Sequence, residues 1–137
     1  MKKGDTVPAK HETRVGKTIL VVDDDEKIRN VVAHFLEKEG FAVLKARSGK
    51  ECLSTVQRET VDLVLLDVMM AEMDGFVVCE KLRLNEKTFK IPVIFLTALT
   101  DHSSKILGSL SGGSDYVTKP FKKNELLAAI RTKIGGP

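Results

Sequence analysis

The stretch Thr18-Ile19-Leu20-Val21-Val22-Asp23-Asp24-Asp25 joins a short aliphatic run directly to three carboxylates. An apolar run without alternating polar side chains is typical of a strand that is buried on both faces of a parallel sheet. The same form returns in Val61–Leu66, which ends in Asp67, and in Pro92–Leu96, which ends in Thr97. We therefore predict parallel strands whose polar ends share one edge of a sheet.

Segments with helical periodicity separate the predicted strands. After the first strand, apolar residues recur at spacings of three and four until Gly40 ends the pattern. A second strand is predicted at Phe41–Ala46, and Ser48 with Glu51 then has the spacing of a capping box. Asp74 and Gly75 begin a third helix. The apolar positions of the first helix are Ile28, Val31, Val32, Phe35 and Leu36.

The C-terminal part of the sequence completes the alternation. Residues 103–110 are predicted as a fourth helix, although their Ser and Gly residues are weak helix formers. A short fifth strand is expected near Tyr116 and Val117, followed by Lys119-Pro120 and a last helix that ends at Gly135. Five such alternations predict an α/β fold, a doubly wound five-stranded parallel sheet with helices on both faces.

Composition and charge exclude several classes of protein. A length of 137 residues with 42% apolar residues suits one compact domain. The net charge of +3 is carried entirely by residues 1–17, so the rest of the chain is electrically neutral. Aromatic residues make up only 5% of the chain, which disfavours a base-stacking surface. We therefore predict no direct binding to nucleic acid.

The N-terminal residues lack hydrophobic periodicity. We predict a mobile basic extension at residues 1–16 and one folded domain at residues 17–137. Polar residues follow Met1-Lys2-Lys3 where the apolar part of a signal peptide should lie, and no apolar stretch approaches the length of a membrane span. We expect a cytoplasmic protein without membrane contacts, in which Cys52 and Cys79 are reduced and packed.

One edge of the predicted sheet collects polar and charged side chains. Ligands bind to doubly wound folds beyond the carboxyl ends of the strands, where these side chains meet. Three neighbouring carboxylates repel one another unless a cation joins them, and Mg²⁺ is the ion that prefers oxygen ligands. Zinc would require His or Cys, which no strand end supplies. The side chains are Asp23, Asp24, Asp67, Thr97 and Lys119.

These residue types suit phosphoryl transfer to Asp67. A carboxylate is a nucleophile toward phosphorus when a metal ion and a cation neutralise the incoming oxygens. Lys119 would supply a compact positive charge, and the Thr97 hydroxyl can donate a hydrogen bond to a phosphoryl oxygen. The expected catalytic set is therefore Asp67, Lys119 and Thr97.

Five short motifs lie in order between Lys17 and Ile134. They are Val21-Val22-Asp23-Asp24-Asp25, Leu65-Leu66-Asp67-Val68, Met73-Asp74-Gly75, Phe95-Leu96-Thr97-Ala98 and Asp115-Tyr116-Val117-Thr118-Lys119-Pro120-Phe121. With these motifs at these spacings, the chain resembles the receiver (CheY-like) domain of bacterial two-component response regulators. The resemblance implies a flavodoxin-like fold with strand order 2-1-3-4-5.

The resemblance implies a phosphorylation-dependent switch and not a turnover enzyme. Asp67 would accept a phosphoryl group from a sensor histidine kinase or a histidine phosphotransfer protein, and the domain would catalyse this step and its own slow dephosphorylation. Asp24 and Asp67 would bind Mg²⁺, Asp23 would hold it largely through water, and the Met69 carbonyl would add a backbone ligand. The Lys119-Pro120 peptide bond would be cis.

Thr97 and Tyr116 stand where the family places its switch pair. On phosphorylation the hydroxyl would move toward the phosphoryl group and the aromatic ring would turn inward, which reshapes the face formed by helix four, strand five and helix five. That face would bind a downstream protein or a second copy in a homodimer. Because Gly135-Gly136-Pro137 end the sequence, we expect a stand-alone regulator or a receiver from a longer parent chain with an output domain.

Two segments depart from the family's pattern. Ala71 stands where the family often has Pro, which leaves that loop freer. Ser and Gly residues at 109–114 replace an Ala-rich stretch. We therefore predict that helix four is short or mobile, and strong hydrogen-exchange protection across residues 103–111 would contradict this prediction.

Three other phosphate-handling classes fit the sequence less well than the receiver domain does. Asp23-x-Asp25 resembles the opening motif of haloacid-dehalogenase-type phosphatases, with Asp23 as nucleophile and Asp25 as acid/base, but Lys27 stands where Thr or Val is needed. A flavodoxin-like flavin site would place phosphate beside the acidic residues after strand one. A P-loop ending in Gly16-Lys17-Thr18 would need Gly at the position of His11.

Overall fold

The computed structural model describes residues 16–137, so residues 1–15, which hold most of the predicted basic extension, lie outside the described residues. Five strands alternate with five helices along the chain. In order these are β1 (Thr18–Val22), α1 (Glu26–Lys38), β2 (Ala42–Ala46), α2 (Gly49–Arg58), β3 (Leu63–Leu66), α3 (Gly75–Arg83), β4 (Val93–Thr97), α4 (His102–Leu110), β5 (Asp115–Thr118) and α5 (Lys123–Ile134).

The strands form one parallel sheet in the order β2-β1-β3-β4-β5. Ile19 of β1 pairs with Val43 on one side and with Leu63 on the other, so β1 is an interior strand of the sheet. The chain leaves β1 toward one edge of the sheet and then returns to build β3, β4 and β5 on its other side. The predicted doubly wound fold and strand order are confirmed, and the direction of winding changes between β1 and β3, where such folds bind ligands.

The core consists of two apolar layers on opposite faces of the sheet. α1 and α5 cover one face, where Leu36 and Ile130 are fully buried. α2 and α3 cover the other face, where Cys52 and Leu82 are fully buried. Every residue of β1, β3 and β4 is buried. This two-sided burial explains why these strands are aliphatic throughout.

Both cysteines are free and buried, as predicted. Burial raises the pKa of the Cys52 thiol to about 12, because the interior disfavours the charged thiolate. Cys52 and Cys79 therefore act as small apolar side chains between α2, α3 and the sheet.

Short polar side chains cap the N-termini of the helices at the edge of the sheet where the strands end. Asp25 accepts hydrogen bonds from the Lys27 and Ile28 amides at the start of α1. Ser48 accepts from the Glu51 amide, but the Glu51 carboxylate accepts from the Arg47 amide. The predicted capping box is thus half confirmed, since the carboxylate binds one residue before the cap.

Several predicted boundaries and one predicted core residue differ in the structure. β2 begins at Ala42 because the Phe41 amide bonds back to the Leu36 carbonyl and belongs to the turn that ends α1. β3 begins at Leu63, and β4 extends to Thr97 because Thr97 pairs with β5. Val31 is 64% exposed. It lies at the margin of the apolar stripe of α1, beyond the contact with the sheet.

The fourth helix, α4, is well formed but poorly buried. Asp101 caps it by accepting a hydrogen bond from the Ser104 amide, and the helix has nine residues. Gly108 is its one buried residue. Such sparse burial is consistent with the predicted mobility, which stays a prediction. Across residues 16–137, the structure has no helix with the length and apolar character needed to cross a membrane.

Candidate functional site

Three carboxylates meet at the edge of the sheet where β1 and β3 end. Asp23 and Asp24 follow β1, Asp67 follows β3, and one ligand oxygen from each lies within 4.8 Å of the others. Asp23 and Asp67 are only 3% and 7% exposed, whereas Asp24 is exposed to solvent. A set of three carboxylate oxygens that opens to solvent on one side fits Mg²⁺, which prefers oxygen ligands and keeps several waters.

Lys119 bridges the two buried carboxylates. Its Nζ lies 2.8 Å from Asp23 Oδ2 and 3.6 Å from Asp67 Oδ2. The Lys119 amide donates to the Thr97 carbonyl at 2.8 Å, which places the side chain at the end of the sheet. The Lys119-Pro120 bond is cis, as predicted. One ammonium beside three carboxylates leaves the cluster negative, so a further cation would be attracted.

Asp67 is buried and has several polar neighbours. Its Oδ1 accepts a hydrogen bond from the Met69 amide at 3.3 Å. Burial raises the pKa of Asp67, and the nearby Asp23 adds to this effect. Lys119, the Met69 amide and the Thr97 hydroxyl act in the opposite direction, because each stabilises the carboxylate. Lys119, the Met69 amide and the Thr97 hydroxyl would also stabilise a negatively charged group attached to this carboxylate.

Asp25 belongs to the start of α1 and not to the carboxylate cluster. Its Oδ1 accepts from the Lys27 amide at 2.9 Å and from the Ile28 amide at 3.3 Å. This agrees with the helix-start role of an acidic residue near the positive end of the helix dipole. An acid/base at Asp25 beside a nucleophilic Asp23, which the phosphatase interpretation requires, is therefore not favoured.

Thr97 and Tyr116 are linked through the backbone of Leu99. Thr97 is completely buried, and its Oγ1 accepts from the Leu99 amide at 3.4 Å. The Tyr116 hydroxyl donates to the Leu99 carbonyl at 2.9 Å. Burial, and then the charges of Asp101 and Asp67, raise the pKa of Tyr116, so its phenol is neutral and able to donate at neutral pH. Both members of the predicted switch pair therefore contact the backbone of the same residue, Leu99, in the loop after β4.

The sequence model for the response regulator receiver domain matches residues 19–131. The chain belongs to this family. The receiver domain is a signalling domain, a phosphoryl-accepting switch, and not generally a turnover enzyme. Receiver domains bind Mg²⁺ at an acidic cluster, and Asp23, Asp24 and Asp67 form such a cluster in this one.

Curated relatives and solved structures agree with this assignment. The receiver domain is 45% identical over 114 residues to the probable transcriptional regulator ycf27 of Porphyridium aerugineum, covering 83% of this chain and 46% of that protein. It is 43% identical over 113 residues to the DNA-binding dual master transcriptional regulator RpaA of Synechocystis, covering 82% of this chain and 47% of that protein. The chain therefore spans about half the length of these relatives.

Among solved structures, chemotaxis protein CheY4 of Vibrio cholerae superposes with a TM-score of 0.83 at 30% identity, over 86% of this chain and 98% of that one. A protein of Chloroflexus aurantiacus that is named a putative response regulator superposes with a TM-score of 0.83 at 33% identity, over 87% of this chain and 98% of that one. Both likenesses extend over nearly the whole of the compared chains. The receiver domain thus shares the architecture of both solved chains.

Two residues position the site of the receiver domain through contacts that the sequence did not indicate, although Gly75 was predicted to begin the third helix. The Arg29 guanidinium donates to the Asp23 carbonyl at 2.8 Å and fixes the loop that carries the acidic residues. Gly75 lets α3 approach the loop after β3 that carries Asp67, since a Cβ at position 75 would lie 2.4 Å from the Asp67 carbonyl oxygen. Arg29 lies one turn along α1 from Asp25, and this spacing alone does not indicate a contact with Asp23.

We expect Mg²⁺ to stabilise the receiver domain, with a gain that grows as the pH rises. Binding to the folded state alone adds about 2.7 kcal/mol at a free ion concentration 100 times Kd. Without metal, the raised pKa of Asp67 makes the folded state bind its proton more tightly than the unfolded chain, so stability falls as pH rises through that pKa. Mg²⁺ favours the ionised carboxylate and offsets this loss.

The measurement for this prediction is the Tm in saturating Mg²⁺ and in EDTA across the acid to neutral range. Asp24→Asn should shrink the Mg²⁺-dependent gain, because it removes the exposed ligand while leaving the buried pair with Lys119 intact. Equal Tm values in Mg²⁺ and EDTA at neutral pH would contradict the assignment of the cluster as a metal site.

Proposed function

We propose that this receiver domain, which we assign to residues 17–137, accepts a phosphoryl group on Asp67 with Mg²⁺ and then changes the face formed by α4, β5 and α5. The main support is the arrangement around Asp67. Its carboxylate is buried, Lys119 Nζ lies 3.6 Å away, and two further carboxylates lie within 4.8 Å. A nucleophile, a cation and a metal-binding set are thus within reach of one incoming phosphoryl group.

The transfer forms one bond and breaks one. An Asp67 carboxylate oxygen attacks the phosphorus of a phosphohistidine on the partner, and the P–N bond breaks. The imidazole, which already carries a proton on its other ring nitrogen, takes the electron pair of the broken bond and leaves as a neutral ring. Lys119 pairs with one phosphoryl oxygen and the Thr97 hydroxyl donates to another. Mg²⁺, when bound by Asp23, Asp24, Asp67 and the Met69 carbonyl, supplies charge neutralisation. Hydrolysis of the acyl phosphate later restores Asp67.

The proposed response is a shift between two packings of the switch pair. Thr97 already contacts the Leu99 amide, and the Leu99 carbonyl already holds the Tyr116 hydroxyl. A phosphoryl group that attracts the Thr97 hydroxyl therefore acts on the loop that holds Tyr116. The two packings differ in their affinity for the phosphoryl group, which is what shifts their populations.

We further propose a sensor histidine kinase or a histidine phosphotransfer protein as the phosphoryl donor, in the cytoplasm. Relatives described as transcriptional regulators are about twice as long as this chain. The output is therefore either an output domain in a longer parent chain or a separate protein that binds the face formed by α4, β5 and α5. A homodimer through the same face is a further form of this proposal.

The test of this function is phosphorylation by phosphoramidate, whose P–N bond mimics that of phosphohistidine. Borohydride reduces an aspartyl phosphate to homoserine, so peptide mapping after reduction locates the modified residue. We expect modification at position 67 that depends on Mg²⁺. Modification at position 23 would instead favour the phosphatase-type alternative, with Asp23 as nucleophile.

We expect the phosphoryl group to persist longer than it does in fast chemotaxis-type receivers. Met69 and Leu99 occupy the positions that tune dephosphorylation in the family, and neither side chain can orient an attacking water. The decay of the phosphorylated protein can be followed by intact mass after removal of the donor. Complete loss of the phosphoryl group within seconds would contradict this expectation.

A further inference from the structure

Three aromatic rings form a row that ends at the switch residue. Phe76 of α3 meets Phe95 of β4 edge to face, with ring centroids 5.2 Å apart. Phe95 in turn lies beside Tyr116 of β5, with centroids 6.0 Å apart, and the two residues are register partners in the sheet. Phe95 is completely buried in the centre of this row. Such ring pairs add stability beyond their buried area.

Two glycines make room for the central ring. A Cβ at Gly113 would lie 2.4 Å from Phe95 Cε2, and a Cβ at Gly108 would lie 3.2 Å from ring atoms of both Phe95 and Tyr116. The backbone of Gly113 is not in the left-handed region, so its missing side chain provides space for the ring. Gly113 belongs to the segment that departs from the Ala-rich pattern of the family.

The same two rings support α4. Gly108 is the one buried residue of this helix, and it lies directly on Phe95 and Tyr116. A cavity of about 160 Å³, lined by both rings, Gly108 and Gly113, remains between α4 and β5. The ring of Tyr116 is therefore held by Phe95 and Gly108, while its hydroxyl is held by the Leu99 carbonyl.

We propose that Phe95 is a positioning residue whose ring, accommodated by Gly108 and Gly113, holds Tyr116 against α4 and so couples the acceptor site to this helix. The coupling to the acceptor site rests on the function proposed above. The positioning itself does not, because it concerns the resting protein. Loss of the Phe95 ring removes one of the two groups that the Tyr116 ring packs against, so the Tyr116 ring becomes free to leave its place.

The chain offers a direct readout of this arrangement. Tyr116 is its one tyrosine and it has no tryptophan, so tyrosine fluorescence reports on position 116 alone. We expect Phe95→Leu to shift the ratio of free to packed Tyr116 by about fivefold, the order of one aromatic pair. Acrylamide quenching of the resting protein should rise accordingly. Gly113→Ala should act in the same direction by displacing the Phe95 ring.

Controls separate positioning from a general loss of structure. Gly136→Ala is the matched glycine control, since a Cβ there meets no atom within 4 Å. Far-UV circular dichroism establishes which variants are folded, and Gly108→Ala, with its milder 3.2 Å contacts, serves as the conservative second variant. Unchanged quenching in the folded variants would overturn the proposal. An additive rise in the double variant Phe95→Leu/Gly113→Ala would also overturn it, because both changes are expected to act through one ring.

Phosphorylation of the same variants tests the link to the acceptor site. Adduct formation with acetyl phosphate and Mg²⁺ should be retained in Phe95→Leu, while the adduct-dependent change in Tyr116 fluorescence should be largely lost. A full fluorescence change in this variant would overturn the coupling. Absence of any adduct in the native chain would overturn the proposed function, whereas quenching of the resting protein would still decide the positioning role.

Discussion

Lys119→Met is expected to slow phosphorylation by about 100-fold, the effect of removing one preorganised charge from a transition state. Lys119 Nζ lies 3.6 Å from Asp67 Oδ2 and is placed to meet the oxygens of an arriving phosphoryl group. The same substitution should strengthen Mg²⁺ binding. Lys119 Nζ also lies 2.8 Å from Asp23 Oδ2 and competes with a metal ion for the carboxylates.

These opposite effects separate a phosphoryl-binding role from a purely structural one. The measurements are the rate of adduct formation with acetyl phosphate and the Mg²⁺ affinity from titration calorimetry. Lys133→Met is the matched control, because it removes the same charge from the exposed last turn of α5. A Lys119→Met protein that keeps the native rate, or that loses Mg²⁺ binding while folded, would contradict the assigned role.

Gly75→Ala is expected to destabilise the folded protein by about 3 kcal/mol, at the upper end for overpacking. A Cβ at position 75 would lie 2.4 Å from the Asp67 carbonyl oxygen and 2.9 Å from Val68 Cα. Both neighbours are backbone atoms, which cannot move aside as a flexible side chain can. Relief would require α3 to withdraw and the Gly75 amide to lose its 2.9 Å hydrogen bond to the Val68 carbonyl.

Urea unfolding measures this loss, and thermal unfolding should show a Tm lower by roughly 10 °C. Gly136→Ala again controls for the change of residue type, because it should leave the stability unchanged. Adduct formation should also fall in Gly75→Ala, since the displaced backbone carries Asp67. Native stability in this variant would show that the approach of α3 to the Asp67 loop is not tight.

The strands and the members of the site could be predicted because each depends on local pattern or on topology. Aliphatic runs such as Leu63–Leu66 indicate two-sided burial, and carboxyl ends of parallel strands must meet at one edge. Asp23 and Asp67 could thus be expected at one edge of the sheet although they lie 44 positions apart in the sequence. The cap that Asp25 provides to α1 is also a local interaction, between residues two and three positions apart.

The remaining features depend on contacts that periodicity does not encode. Val31 matches the apolar stripe of α1, but the packing angle of the helix leaves it exposed. Glu51 has capping-box spacing, yet its carboxylate reaches Arg47. The hydrogen bond of Tyr116 to Leu99 and the space that Gly113 leaves for Phe95 arise from tertiary packing between separate elements. Glycines in particular carry no sign of what lies beside them.

The most direct test of the central claim is the intact mass after incubation with acetyl phosphate, with and without Mg²⁺. The native chain, Asp67→Asn and Asp23→Asn would be compared. We predict an alkali-labile gain of one phosphoryl group that requires Mg²⁺ and is lost in Asp67→Asn. An adduct that persists in Asp67→Asn and disappears in Asp23→Asn, or no adduct in any condition, would contradict phosphoryl acceptance at Asp67.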